Sequence, residues 1–258
     1  MKDPTLAKAA QLGKGFCSDV YDWGEGRVLK LFHGLGPQGR AEREFEATKA
    51  IHGAGFPVPK AFELVEVEGR RGIVFERIDG VSLLGFTHKR PWTIPWAVRL
   101  LAELHAKIHR HLAPTGLPSL RKRIAARIDA SDAPEAAKQT ARERLAALPD
   151  GTALCHGDFH PDNILITSRG PVVIDWSSAS CGDPLGDVAC TSHLMRNASL
   201  PPWAPAYMHL LLRCLRSRMH SAYLKRYLRL RPGTRRQIEA WDAPLAVAAK
   251  SWRIPETI

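Results

Sequence analysis

The sequence predicts an α+β protein with a small strand-rich amino-terminal part and a larger, mainly helical carboxyl-terminal part. Two observations carry this. Up to Gly80, short β-branched and aromatic runs are separated by glycine turns; beyond it, apolar residues recur at three-to-four spacing. The expected parts are therefore 1–80 and 81–258. At 258 residues, 45% hydrophobic and 24% charged, the chain can bury a substantial core and lacks the composition of a disordered segment.

The elements follow in order. Gly13-Lys14-Gly15-Phe16-Cys17-Ser18 precedes Val20 to Trp23, and Gly24-Glu25-Gly26 turns the chain into Arg27 to Phe32, which predicts two antiparallel strands. Lys30 lies inside the second strand between Leu29 and Leu31, a setting that suits an ammonium reaching a buried anion. The helix predicted over Arg40 to Ile51 puts Glu44 on one face with Ala47, Thr48 and Ile51, so Glu44 can point towards Lys30; Glu42 and Glu46 are the alternatives. Gly13-x-Gly15 is a weak signal alone. Its place ahead of the Lys30 strand suits a loop laying backbone N–H groups over phosphates, with Ser18 where a third glycine would stand.

Pro57-Val58-Pro59 sets an extended connection, and Leu64 to Val67 and Ile73 to Glu76 flank Gly69-Arg70-Arg71-Gly72 as a further hairpin. Phe75 to Gly80 reads as a hinge, where the backbones of Glu76 and Ile78 are candidates for holding a purine. Beyond it, Ile94-Pro95-Trp96 opens a helix carrying Val98, Leu101, Leu104 and Ile108, and Pro134 to Leu148 forms a second. His105 and His109 stand one helical turn apart. No third ligand accompanies them at convincing spacing, which favours packing or surface histidines over a metal site.

The richest stretch is Leu154-Cys155-His156-Gly157-Asp158-Phe159-His160-Pro161-Asp162-Asn163-Ile164-Leu165-Ile166, followed by Val172-Val173-Ile174-Asp175-Trp176. Asp158 and Asn163 are five positions apart, the spacing of the proton-accepting Asp and the metal-binding Asn in a phosphoryl-transferring loop. The runs after Asn163 and before Asp175 predict a hairpin that brings these two residues together. Such a set supplies an acceptor-orienting oxygen, Asp158, and two magnesium ligands, Asn163 and Asp175, as a reaction carried by positioning and charge neutralisation requires. Cys155, at a strand end beside Leu154, reads as a small buried apolar group rather than a nucleophile.

From Leu154 to Ala189 the chain resembles the aminoglycoside phosphotransferase and choline kinase-like family of small-molecule kinases. His156 to Leu165, Ile174-Asp175-Trp176 and Gly182-Asp183-Pro184-Leu185-Gly186-Asp187-Val188-Ala189 carry the likeness, with weaker matches at Lys30, Arg43-Glu44 and Leu104-His105. The resemblance implies a bilobal protein-kinase-like fold. It further implies Asp158 as catalytic base or acceptor-orienting group, Asn163 and Asp175 as Mg2+ ligands, Lys30 with Glu44 as phosphate-positioning pair, and Asp187 as a brace for the catalytic loop. ATP is the expected donor, GTP the alternative. A kinase-fold regulatory module, with nucleic-acid association as an option, is the second functional reading. A protein kinase is the third, disfavoured because no Ala-Pro-Glu segment follows Asp175. Resistance and metabolic roles are equally open.

Charge bears on the acceptor. The net charge is +11, and residues 188–258 hold 12 Lys or Arg against the three acids Glu239, Asp242 and Glu256. A polycationic acceptor would need carboxylates in this part, so the expected acceptor is a neutral or anionic hydroxylated small molecule. Along the basic stretch Arg213 to Arg236 and the residue before it, Leu212, Leu215, Met219, Tyr223 and Tyr227 form a helical stripe between basic faces. A solvated basic face is the leading reading, and contact with nucleic acid or an anionic membrane the second. Five cysteines without a CxxC pair indicate neither a disulfide framework nor a zinc site, and no window approaches the roughly 18 apolar residues of a spanning helix. The expectation is a soluble cytoplasmic protein.

Overall fold

The computed structural model describes residues 6, 9–15, 17–34, 39–197 and 206–251. Along the chain run β1 (Gln11–Lys14), β2 (Ser18–Gly24), β3 (Arg27–Phe32), α1 (Arg40–Gly53), β4 (Ala61–Val67), β5 (Arg70–Glu76), β6 (Val81–Ser82) and α2 (Leu83–Lys89). Next come α3 (Ile94–Ile108), α4 (Leu120–Ala130), α5 (Glu135–Ala146), β7 (Ala153–Cys155), β8 (Ile164–Thr167), β9 (Gly170–Val173) and β10 (Ser180–Gly182). The last are α6 (Pro184–Asn197), α7 (Ala206–Leu230), α8 (Arg235–Glu239) and α9 (Asp242–Ala248). The chain divides into two compact units, Met1–Phe86 with Asp162–Ser178, and Thr87–Pro161 with Ala179–Ile258.

In the first unit an antiparallel sheet has the order β1-β2-β3-β5-β4, so the Lys30 strand is central. One face of the sheet packs Phe32, Ile73 and Phe75 against Ala41 and Phe45 of α1; the other buries Leu29, Leu31, Val67 and Val74. Alternation along β3 therefore sends Leu29 and Leu31 one way and Val28, Lys30 and Phe32 the other, towards α1. The strand-rich start holds one element more than the sequence suggested. Gln11–Lys14 pairs with β2, so Gly13 lies in a strand opposite Val20; four residues with a single apolar side chain give little periodic signal. The β4–β5 turn is also tighter. Only Glu68 (φ 52) and Gly69 (φ 73) make it, a two-residue turn of the twist that hairpins favour. Arg70, Arg71 and Gly72 are strand, paired with Val67, Glu66 and Val65, and glycine stands at 72 because a Cβ there would come within 2.8 Å of Leu29 Cδ1.

The predicted hairpin forms from β8 and β9, with Ile164 opposite Val173 and Thr167 opposite Gly170. It joins the first unit through β6, which pairs Val81 with Ile166. Trp176, in a short 3-10 turn, is buried, donates from its indole N–H to Val173 O (3.2 Å) and meets Phe56 edge-on.

In the second unit α3 packs on α7, and α4, α5 and α9 pack together. Helix α4 had no counterpart in the sequence reading, since Arg121, Lys122, Arg123 and Arg127 interrupt the apolar positions Leu120, Ile124 and Ile128. Strands β7 and β10 form a small antiparallel pair. Helix α7 ends at Leu230, and Pro232 and Gly233 (φ 145) break the chain before the capping box of Thr234 and Gln237 opens α8. The expected stripe is buried at Tyr223 and Tyr227, half-buried at Met219 and 39% exposed at Leu215; the side chains of Leu212 and Arg213 lie outside the described residues. Among the described residues no helix is long and apolar enough to cross a membrane.

Candidate active site

In the first unit Lys30 reaches Glu44 with its ammonium 2.7 and 2.8 Å from the two carboxylate oxygens, and lies 3.1 Å from Asp175 Oδ1. Glu44 is the buried member, with a side chain 2% exposed; Glu42 instead pairs with Arg71 at the surface. One ammonium therefore faces two carboxylates. Burial opposes the Lys30 charge, yet Asp175 and Glu44 outweigh it and raise its pKa. Burial pushes Glu44 up to about 7, against the pull of Lys30 and with the help of Asp175. The cluster thus carries a surplus of negative charge that an added cation relieves.

Asn163 and Asp175 stand at the open end of the β8–β9 hairpin, where the Ile174 amide donates to Asn163 O at 3.0 Å. Asn163 is buried. Asp175 takes φ 60, a left-handed conformation that costs a non-glycine residue about 1 kcal/mol. An amide oxygen and a carboxylate carried on neighbouring strand ends are the kinds of donor that a hard divalent cation takes.

The remaining first-unit candidates occupy the sheet's rim. The Gly15 amide donates to Ser18 O (2.9 Å), closing the β1–β2 turn, and Ser18 is buried at the start of β2 opposite Phe32. Glu76 ends β5; its amide is engaged by Lys60 O (2.8 Å) and its carboxylate accepts from Lys60 N–H (3.3 Å). Ile78 follows half-buried, next to Arg77, which pairs with Asp22 and Asp79.

In the second unit β7 delivers the catalytic-loop run. Gly157 takes φ 76, which glycine alone adopts without strain, and the Asp158 amide donates to His156 Nδ1 at 3.3 Å. The Asp158 side chain is about a third exposed, 3.9 Å from His160 Nε2. Asp187, at the start of α6, is completely buried and accepts from the amides of His156 (2.6 Å) and Gly157 (2.8 Å). It is the brace expected for this loop. Cys155 is buried, and burial pushes its thiol well above the ordinary range, so no thiolate nucleophile is available there.

The third partner of His105 and His109 is Asp187, which sequence spacing did not reveal. Both imidazole Nε2 atoms meet Asp187 Oδ2, at 3.1 and 3.2 Å, while the Nδ1 atoms meet the hydroxyls of Tyr223 (2.6 Å) and Tyr227 (2.7 Å). These three groups have the mutual spacing of a metal triad. The hydrogen-bond count favours protons instead: each imidazole uses both nitrogens, and the carboxylate already carries two amides. Burial works to raise the Asp187 pKa, but the bonds from His105 and His109 prevail and hold it well below the usual carboxylate range. A recoverable signal existed, the four-residue step in both His105/His109 and Tyr223/Tyr227.

The network has a pH signature. Burial, with His109 beside it, lowers His105 from 6.5 to about 4. The unfolded chain then binds this proton first as pH falls, so stability drops from pH 6.5 to 4 and levels off below, by on the order of 3 kcal/mol. His220, also lowered to about 4, titrates in the same window. Urea midpoints measured from pH 7 to 4 should fall in the wild type and flatten in part in His105→Gln.

The sequence matches the family described as "Phosphotransferase enzyme family" over residues 8–222. The chain belongs to this family. "Acyl-CoA dehydrogenase family member 11" of Gallus gallus is 31% identical over 174 residues, 58% of this chain and 22% of that protein, so the chain spans about a fifth of the length of that relative. Among solved structures, an aminoglycoside-3'-phosphotransferase of type VIII has a TM-score of 0.67 at 20% identity, with 93% of each chain covered. An amicoumacin kinase in complex with AMP-PNP and Ca2+ has 0.62 at 12% identity, covering 97% of this chain and 83% of that one. At these identities the likeness establishes the fold, that of small-molecule kinases built like protein kinases.

Proposed function

We propose that this chain is a phosphotransferase, an ATP-dependent kinase that moves the γ-phosphoryl group to a hydroxyl of a neutral or anionic small molecule. The observation that carries the reading is the Lys30–Glu44–Asp175 cluster, where one ammonium meets two carboxylates and Asn163 stands at the neighbouring strand end. Lys30, oriented by Glu44, is the group to hold the donor phosphates. Asn163 and Asp175 are the residues that would hold Mg2+, which when bound would supply positive charge against the phosphates of the donor. Asp158 orients the acceptor hydroxyl and takes its proton as the oxygen attacks in line. The backbones of Gly13, Gly15 and Ser18 are assigned to the phosphates and those of Glu76 and Ile78 to the purine.

Two observations support an anionic acceptor. Basic residues crowd 188–258, with Arg218, Lys225, Arg229, Arg235 and Arg236 exposed, whereas the acid Asp242 is already held by Arg196. The matched relative's name couples a segment like this one to acyl-CoA chemistry. A hydroxylated acyl-CoA, anionic through its phosphates, is therefore the first acceptor class to try. The test is phosphate incorporation from Mg-ATP across hydroxyacyl-CoA thioesters, neutral hydroxylated metabolites and aminoglycosides. Product from the first or second group is expected. Efficient phosphorylation of kanamycin-like compounds would overturn the acceptor assignment, and nucleotide binding with no transfer to any acceptor would favour a regulatory module.

A further inference from the structure

The transfer chemistry leaves His105, His109, Tyr223 and Tyr227 without a task, although all four are buried and hydrogen-bonded in one chain. Their bonds converge on a single atom pair. Asp187 Oδ2 receives both histidines and the His156 amide, and Oδ1 receives the Gly157 amide, so the carboxylate's rotation fixes two consecutive amides just ahead of Asp158. That rotation is itself fixed by the two Nε2–H donors. An imidazole donates from Nε2 only in the tautomer whose Nδ1 is an acceptor, and that acceptor is matched by a tyrosine hydroxyl in each case.

We infer that His109 and His105 are positioning residues for phosphoryl transfer: Tyr227 and Tyr223 of α7 select their Nε2–H tautomers, and through Asp187 the two imidazoles set the catalytic-loop backbone that presents Asp158. The assignment rests on the kinase reading for its catalytic consequence and on the hydrogen-bond geometry for its structural one. Helix α7 is thereby wired to the catalytic loop. A shift of α7 by less than the length of a hydrogen bond releases a tautomer rather than a packing contact.

Asp187→Asn is the obvious variant, but it removes a completely buried charge and risks the fold. The better set is His109→Leu, which loses the donor, His109→Gln, whose Nε2 amide restores a donor near the same place, and Tyr227→Phe, which keeps shape and loses the hydroxyl. Imidazole 15N spectra and the amide resonances of His156 and Gly157 are recorded on nucleotide-free protein. Phosphoryl transfer from Mg-ATP, to water or to the acceptor found above, gives kcat and KM.

The expected result is the Nε2–H tautomer at His109 in the wild type and a mixed population in Tyr227→Phe. In His109→Leu the two amides shift, and kcat falls about 10- to 100-fold, the size of a lost hydrogen bond to a charged group, with KM for ATP within about twofold. His109→Gln recovers most of both. Equal losses in the Leu and Gln variants, or amides that do not move in either His109→Leu or Tyr227→Phe, would overturn the assignment. Should wild type transfer no phosphoryl group, the kinase reading fails by itself while the tautomer and amide comparison still decides the positioning role.

Discussion

Lys30→Met should abolish tight Mg-ATP binding and destabilise the chain more at pH 8 than at pH 6. The Lys30 side chain is 12% exposed, and its ammonium is the cation given to Glu44, whose side chain is 2% exposed, and to Asp175. Removing one partner of a buried pair leaves the other uncompensated, at a cost of about 3–5 kcal/mol. The pH dependence follows from Glu44, already raised to about 7 by burial with Lys30 opposing. Without Lys30 its folded pKa climbs further above the unfolded value of 4.5. A group whose folded pKa lies above its unfolded one binds more protons when folded, so its contribution is present at low pH and lost as pH rises. Urea unfolding of wild type and Lys30→Met at pH 6 and pH 8, with calorimetric titration of Mg-ATP, checks both halves. A variant cost equal at the two pH values would mean that Glu44 is not the buried partner that sets it.

Asp158→Asn should lower the rate of phosphoryl transfer about 10²- to 10⁴-fold, the usual contribution of a positioned proton acceptor, and leave nucleotide affinity and unfolding midpoint near wild type. The side chain is about a third exposed, and the Asp158 amide donates to His156 Nδ1. The substitution removes the base and keeps the size and shape of the side chain. Quenched-flow measurement of product formation with the best acceptor gives the rate. A loss shared between KM for ATP and kcat would point to a binding role instead.

Local chemistry was readable in the sequence wherever it was written in consecutive residues. The Asp158 to Asn163 spacing, the β8–β9 hairpin, the buried Glu44 and the limits of the 15-residue α3 all follow from short runs, because turn residues and apolar period act over that range. Long-range partners were not readable. Asp187 meets His105 and His109 across 82 and 78 residues, and nothing in the period of α3 shows which distant carboxylate completes the set. Tyr223 and Tyr227 read as members of an apolar stripe, since their rings are apolar and only their hydroxyls, placed by tertiary packing, carry the second role. Weak local signals failed in the ordinary way, as with the four-residue β1 and the arginine-rich α4, whose stability comes from its neighbours rather than its own pattern.

The most direct test of the central claim uses ATP labelled with 18O in the γ-phosphoryl group, incubated with Mg2+, the wild-type protein and pooled hydroxylated metabolites and acyl-CoA thioesters, with products read by mass spectrometry. The expected product is an acceptor that gains one labelled phosphoryl group, formed by wild type and not by Asp158→Asn. Saturable nucleotide binding with the label still on ATP, and no labelled acceptor at any Mg2+ concentration, would contradict it.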